Sequence, residues 1–145
     1  MFQKILVLCT GNICRSPLAA ARLRQAVEAK GGDIDVRSAG LGALVGHPAD
    51  TNALVVAKAR GLDLSDHVAQ QLNPGLIHWA DLILVMEHHQ RSYLIEQLPT
   101  ISGKVLLFGH WIGEEVPDPF LEDLEVFEET MDLIDQAAVE WGKRL

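Results

Sequence analysis

Apolar residues follow one another without a break from Ile5 to Leu8. A run that short, rich in β-branched and aliphatic residues, predicts a strand buried on both faces. Similar runs predict strands over 4–9, 34–38, 82–86 and 105–108. Between them the apolar positions change to helical spacing, predicting helices over 17–30, 50–60, 88–98 and 124–143. In the first, Ala19, Leu23, Ala26 and Val27 recur at that spacing. The last helix is the clearest: Phe127, Met131, Ile134, Ala138 and Trp141 fall on one face at steps of three and four. Strands alternating with helices predict an α/β fold: one domain over 1–145, a four-stranded parallel sheet with helices on both faces, a three-layer Rossmann-type arrangement. Right-handed crossovers follow, and ligands in such sheets bind beyond the carboxyl ends of the strands.

The junction between the first strand and the first helix breaks the apolar pattern. It reads CTGNICRSP, residues 9–17. Ser16 and Pro17 read as a helix start, with Ser as the cap and Pro in the first turn. The connection therefore ends at a helix N-terminus, where backbone amides and the helix dipole favour an anion. Cys9 and Arg15 are separated by five residues. A loop of that size can curl its amides, from Thr10 through Cys14, inward around an oxyanion. Arg15 can then fork onto two oxygens of a tetrahedral anion. Gly11 offers close backbone approach or positive φ, and Asn12 tolerates left-handed geometry. A cysteine at the base of that nest is biased toward thiolate by the helix end and the guanidinium, and Ser16 can donate a hydrogen bond to the sulfur. Such a thiolate is a nucleophile aimed at phosphorus.

Composition narrows the choice. The 145 residues suit one domain, and the net charge of −8 argues against a nucleic-acid binder. Two cysteines give no disulfide framework and imply a reducing compartment. The N-terminal apolar run is too short for a signal peptide, and no segment has the length of a membrane span. These features predict a cytoplasmic protein without membrane insertion. The histidines (His47, His78, His88, His89 and His110) show no metal-ligand spacing, so no metal or cofactor is expected. The last helix starts acidic (Glu122, Asp123, Glu125) and ends basic (Lys143, Arg144), as dipole compensation requires.

Phosphoryl transfer from an ester also needs a proton donor for the leaving oxygen. Asp118 stands between two prolines in VPDPF, residues 116–120, so its backbone is restrained on both sides. Held over an anion, it is the candidate acid. Phe120 beside it offers an aromatic wall for a flat ring.

CTGNICRSP followed late in the chain by DPF resembles the low-molecular-weight protein tyrosine phosphatases. SAGLGALVG (38–46), HVAQQL (67–72), DLILVME (81–87) and the strand before FGHW (108–111) resemble the bacterial members, so the likeness spans essentially the whole chain. It implies that family's fold and a phosphocysteine mechanism. Cys9 would attack, Arg15 would bind the phosphate and stabilise the transition state, and Asp118 would act as acid and then as base. Ser16 would support the thiolate, while Asn12, Ser38 and His67 would form a network that holds the loop. Thr10, Gly11, Asn12, Ile13, Cys14, Ser16, Leu44 and Phe120 would contact substrate. Cys14 would trap oxidised Cys9 as a disulfide. The implied substrate is a phosphotyrosine protein, a bacterial tyrosine kinase that controls capsule or exopolysaccharide export. A monomer, inhibited by phosphate and vanadate, is expected.

Phe120 is followed by Leu121 where the family often has a tyrosine pair, and Leu41 or Leu44 stands where eukaryotic members often have an aromatic wall. The aryl slot is expected to be more aliphatic. Three other readings use the same loop. Arsenate reduction needs further cysteines downstream, and none follows Cys14. A protein arginine phosphatase resembles this chain closely but tends to carry Thr where Ile13 stands. A non-catalytic phosphoprotein-binding module would need the nest but not Cys9 and Asp118.

Overall fold

A computed structural model describes residues 2–145. Four parallel strands form one sheet: β1 (Lys4–Cys9), β2 (Asp35–Gly40), β3 (Leu82–Val85) and β4 (Val105–Leu107), in the order β2-β1-β3-β4. The order reverses between β1 and β3, and β1 is central. Its residues Ile5 to Leu8 are wholly buried, which explains why they read as an unbroken apolar run.

Among the described residues, five α-helices cover the two faces: α1 (Arg15–Ala29), α2 (Thr51–Ala59), α3 (Pro74–Trp79), α4 (His88–Gln97) and α5 (Leu124–Gly142). On one face Ile5, Val7 and Leu84 pack with Leu18 and Leu23 of α1, Val56 of α2 and the apolar stripe of α5. On the other, Leu6, Leu8, Ile83 and Val85 pack with Leu76 of α3 and Leu94 of α4. The five stripe residues predicted for the last helix are all buried, and the Trp141 indole N–H donates to the Phe108 carbonyl at 2.7 Å, pinning α5 to the end of the sheet.

The predicted strands and helices stand within a few residues of their expected bounds, and α3 is additional. Asn73 caps it by accepting the Leu76 N–H at 2.9 Å, and Pro74 opens it. The start of α1 also differs from expectation. The helix begins at Arg15, and its cap residue Cys14 makes no side-chain cap bond. Ser16 lies inside the first turn, so its hydroxyl is free for the loop. Pro17 is tolerated there because the first four helical amides lack intrahelical partners.

Two backbone details place the connection after β1. Asn12 takes the positive φ, at 58°, and Gly11 does not. The end of β2 runs so close that a Cβ on Gly40 would stand 2.5 Å from the Thr10 carbonyl oxygen. Only glycine fits there, and β2 can then support the loop through the Leu41 N–H, which donates to the Cys9 carbonyl at 3.0 Å.

Candidate active site

The chain between β1 and α1 curls around a cavity of about 180 Å³ at the carboxyl end of the central strand. Cys9, Thr10, Gly11, Ile13, Cys14 and Arg15 line it from the loop, Gly42 and Leu44 from the segment after β2, and Asp118 and Phe120 from the segment after β4. This is the reversal point of the strand order, where α/β sheets place their ligands.

Cys9 ends β1 and is 2% exposed. Its Sγ accepts the Asn12 N–H at 3.3 Å and lies 3.0 Å from Ser16 Oγ. Ser16 Oγ itself accepts from Asn12 Nδ2 at 2.8 Å, which leaves the hydroxyl proton for the sulfur. Both contacts place a donor on the sulfur.

Asn12 is the hub beneath the loop and is wholly buried. Nδ2 also donates to Ser38 Oγ at 3.0 Å, and Oδ1 accepts the Gln70 N–H at 2.9 Å. His67 Nε2 lies 2.6 Å from the Asn12 carbonyl oxygen. A carbonyl only accepts, so Nε2 carries the proton. Burial pushes the His67 imidazole below its ordinary value, more strongly than the Asn12 carbonyl raises it, and Arg24 adds to the lowering. Asn12, Ser38 and His67 thus meet as one network. Gln70 joins it, with its Nε2 donating to the Ser38 carbonyl at 2.8 Å.

Arg15 is 2% exposed, yet its guanidinium lines the cavity. Nη1 forms an ion pair with Glu87 and donates to the Val116 carbonyl at 2.9 Å. Nη2 lies 3.6 Å from Asp118 Oδ2. Asp118 Oδ1 accepts the Phe120 N–H at 3.1 Å, a local turn that fixes the carboxyl at the mouth. One cavity therefore holds a sulfur with two donors on it, a guanidinium anchored by one nitrogen, and a half-exposed carboxyl. It can accept a tetrahedral anion over the sulfur and pass a proton at its mouth.

Residues 4–145 match the family described as low molecular weight phosphotyrosine protein phosphatase. The chain belongs to that family. Wzb of Escherichia coli K12, named a low molecular weight protein-tyrosine-phosphatase, is 45% identical over 146 residues, covering 100% of this chain and 97% of its own. Vibrio vulnificus Wzb, solved in complex with benzylphosphonate, has the same fold at a TM-score of 0.94 and 42% identity, with 100% of each chain covered. The Bacillus subtilis YwlE arginine phosphatase is 29% identical at a TM-score of 0.92, covering 98% of this chain and 95% of that one.

Within this member of the low-molecular-weight phosphatases, most residues expected at the site line the cavity. Two do not: the side chains of Asn12 and Ser16 point behind the loop, where they brace it instead of facing substrate. Leu44 lines the cavity, whereas Leu41 packs on the far core. Cys14 is buried beside Cys9 as a free thiol. Burial pushes its thiol far up, and the negative charges of Asp50, Cys9 and Asp118 push the same way. Among the described residues, no group of three or more His, Cys, Asp or Glu is arranged to hold a metal ion. No helix among them is long and apolar enough to cross a membrane.

Sequence reasoning missed Glu87, Gln70, Gly42 and the Val116 carbonyl. Glu87 and Gln70 lie inside DLILVME and HVAQQL, segments that already carried the resemblance, so a signal was there. The roles of Glu87, Gln70 and the Val116 carbonyl come from contacts across 58 to 101 residues of chain and have no local pattern.

Proposed function

We propose that the chain is a protein-tyrosine-phosphatase that works through a phosphocysteine at Cys9. The observation that carries this reading is the meeting of Cys9, Arg15 and Asp118 in one cavity, with the sulfur held by Ser16 and the Asn12 amide. The loop amides and Arg15 Nε and Nη2 take the phosphate oxygens while Nη1 stays anchored. The Cys9 thiolate attacks phosphorus, the bond to the tyrosyl oxygen breaks, and Asp118 gives that oxygen its proton. Asp118 then takes a proton from water, whose oxygen attacks the phosphocysteine. Phosphate leaves, and the Ser16 hydroxyl receives the thiolate. Phosphate and vanadate inhibit by filling the nest.

Ile13 and Phe120 favour an aryl ring in the slot. Ile13 gives an apolar wall, 7% exposed, where a guanidino phosphate would want a polar partner. The physiological substrate is a phosphotyrosine protein, a bacterial tyrosine kinase governing polysaccharide export. The enzyme acts as a monomer and one domain in the cytoplasm, where both thiols stay reduced. Oxidant that converts Cys9 to a sulfenic acid lets the Cys14 sulfur displace water and close a disulfide, protecting the nucleophile. Thiol mapping after peroxide tests this. Sulfonic acid at Cys9 without a disulfide would contradict it.

The experiment for the main reading offers a phosphotyrosine peptide and a phosphoarginine peptide to wild type and to Cys9→Ser, in chelator. Turnover of phosphotyrosine by wild type alone is expected. Preference for phosphoarginine would move the specificity to that of YwlE, and phosphate binding without turnover of either peptide would make the chain a binding module.

A further inference from the structure

Gln90 is 1% exposed, carries no charge and does not line the cavity. It sits in the first turn of α4 and shares no hydrogen bond with the Asn12 network. A buried amide is retained only where its hydrogen bonds are made; one of those of Gln90 closes the capping box of α4 with Glu87, and through Glu87, Met86 and Thr10 they also reach the site.

Oε1 accepts two backbone N–H groups, from Met86 at 2.9 Å and Glu87 at 3.0 Å. Nε2 donates to Thr10 Oγ1 at 3.2 Å. Each of the two amides held by Oε1 belongs to a residue that supports Arg15. Glu87 supplies the carboxylate paired with Nη1. The Met86 carbonyl accepts the Val116 N–H at 2.9 Å, and the Val116 carbonyl is the second acceptor of Nη1. Both anchors of the guanidinium therefore hang from backbone that one Gln90 oxygen ties together. The third arm fixes Thr10, the residue after Cys9.

We infer that Gln90 is a positioning residue for phosphate binding: it sets the Arg15 guanidinium through Glu87 and Val116 and joins that frame to the phosphate loop through Thr10. This rests on the reading of Arg15 as the oxyanion-binding side chain. An unanchored Nη1 would let the guanidinium shift toward Asp118 at the mouth, and misplacement of a binding group by a fraction of an ångström is costly.

The test uses Gln90→Met, which keeps the bulk and removes all three arms. Its folded state is checked by thermal unfolding, and turnover and tungstate affinity are measured well below the midpoint. The expected result is a fall of about tenfold in kcat, with tungstate Kd raised about tenfold by calorimetry. Gln90→Glu keeps an oxygen for both amides and lets the Thr10 hydroxyl turn to donate, so it is expected to recover both values to within about threefold of wild type. In an Arg15→Ala background, Gln90→Met is expected to raise tungstate Kd by clearly less than tenfold, because the part of its effect that runs through that side chain is already lost and only the Thr10 arm remains. Should Gln90→Met not fold, Gln90→Ala leaves room for a water on the two amides and is expected to show the same losses.

A folded Gln90→Met or Gln90→Ala with wild-type kcat and Kd would overturn the inference, as would a loss that is undiminished in the Arg15→Ala background or that Gln90→Glu fails to recover. If Arg15→Ala alone binds tungstate like wild type, the reading of Arg15 has failed and not only that of Gln90.

Discussion

Replacing Asn12 by Ala should be the most damaging substitution that leaves every group facing substrate in place. The side chain makes three hydrogen bonds, two of them buried, to Ser16 Oγ at 2.8 Å and to Ser38 Oγ at 3.0 Å, and a partly buried one from the Gln70 N–H at 2.9 Å. Truncation leaves the Gln70 amide without an acceptor and the two hydroxyls without their donor, a loss of about 1 kcal/mol each. Asn12 also sits at φ 58°, where Asn is tolerated and Ala is strained by about another 1 kcal/mol. The sum is about 4 kcal/mol, a large share of the 5 to 15 or so that hold a domain together. For a chain of this size the midpoint should fall by about 8–16 °C. Asn12→Gly separates the two causes: it loses the same bonds without the strain and should be more stable than Asn12→Ala by about 1 kcal/mol. Thermal and urea unfolding of both variants is the assay. A loss below about 1 kcal/mol in Asn12→Ala would refute the view that this side chain holds the loop.

Asp118→Asn should slow aryl phosphates with poor leaving groups by about a hundredfold or more and barely affect those whose leaving oxide needs no proton; equal losses across a leaving-group series would reject Asp118 as the acid. The His67 imidazole sits below its ordinary value of 6.5 when folded, so the unfolded chain takes up that proton first as pH falls. Its contribution is complete above pH 6.5 and is lost on acidification through the lower folded value, at up to about 1.4 kcal/mol per pH unit. His67→Gln should flatten that part of the stability curve; an unchanged slope would remove His67 as its source. Leu121 is 86% exposed at φ 68°, with little packing to lose, so Leu121→Gly should raise stability by about 0.5 kcal/mol in urea unfolding.

The sheet and its helices were legible because their signals are local. β1 is buried on both faces and therefore had to be uniformly apolar, and α5 covers one face and therefore had to carry a stripe. α3 was not legible: its six residues are too few to show a period, and Asn-Pro-Gly reads as a turn. The nucleophile, the arginine and the acid could be named because the first two share one loop and the third stands between prolines. Ser16 was misread as a helix cap because a Ser-Pro pair before an apolar stripe is the ordinary cap pattern. Its hydroxyl bond to the Cys9 sulfur was nonetheless expected, and the fold adds Asn12 Nδ2 as its donor. The aromatic slot was half legible: Phe120 stands two residues after the acid, whereas the choice of Leu44 over Leu41 depends on which face of the segment after β2 turns to the cavity. Glu87, Gln70 and Gln90 look like ordinary polar residues in sequence. Their partners lie far off along the chain: the packing of β3 beside β1 brings Glu87 and Gln90 to the loop, and the bridge between Gly40 and Gln71 at the end of β2 brings Gln70 there.

The central claim is that phosphorus passes through the sulfur of Cys9. Rapid acid quench of Asp118→Ala during turnover of an aryl phosphate with a good leaving group, followed by peptide mass mapping, tests it most directly. Formation is fast in that variant, while hydrolysis lacks its base, so the intermediate should accumulate. The account predicts one phosphoryl group on the peptide containing Cys9, lost in Cys9→Ala. Turnover with no covalent phosphate, or with phosphate on any other residue, would contradict it.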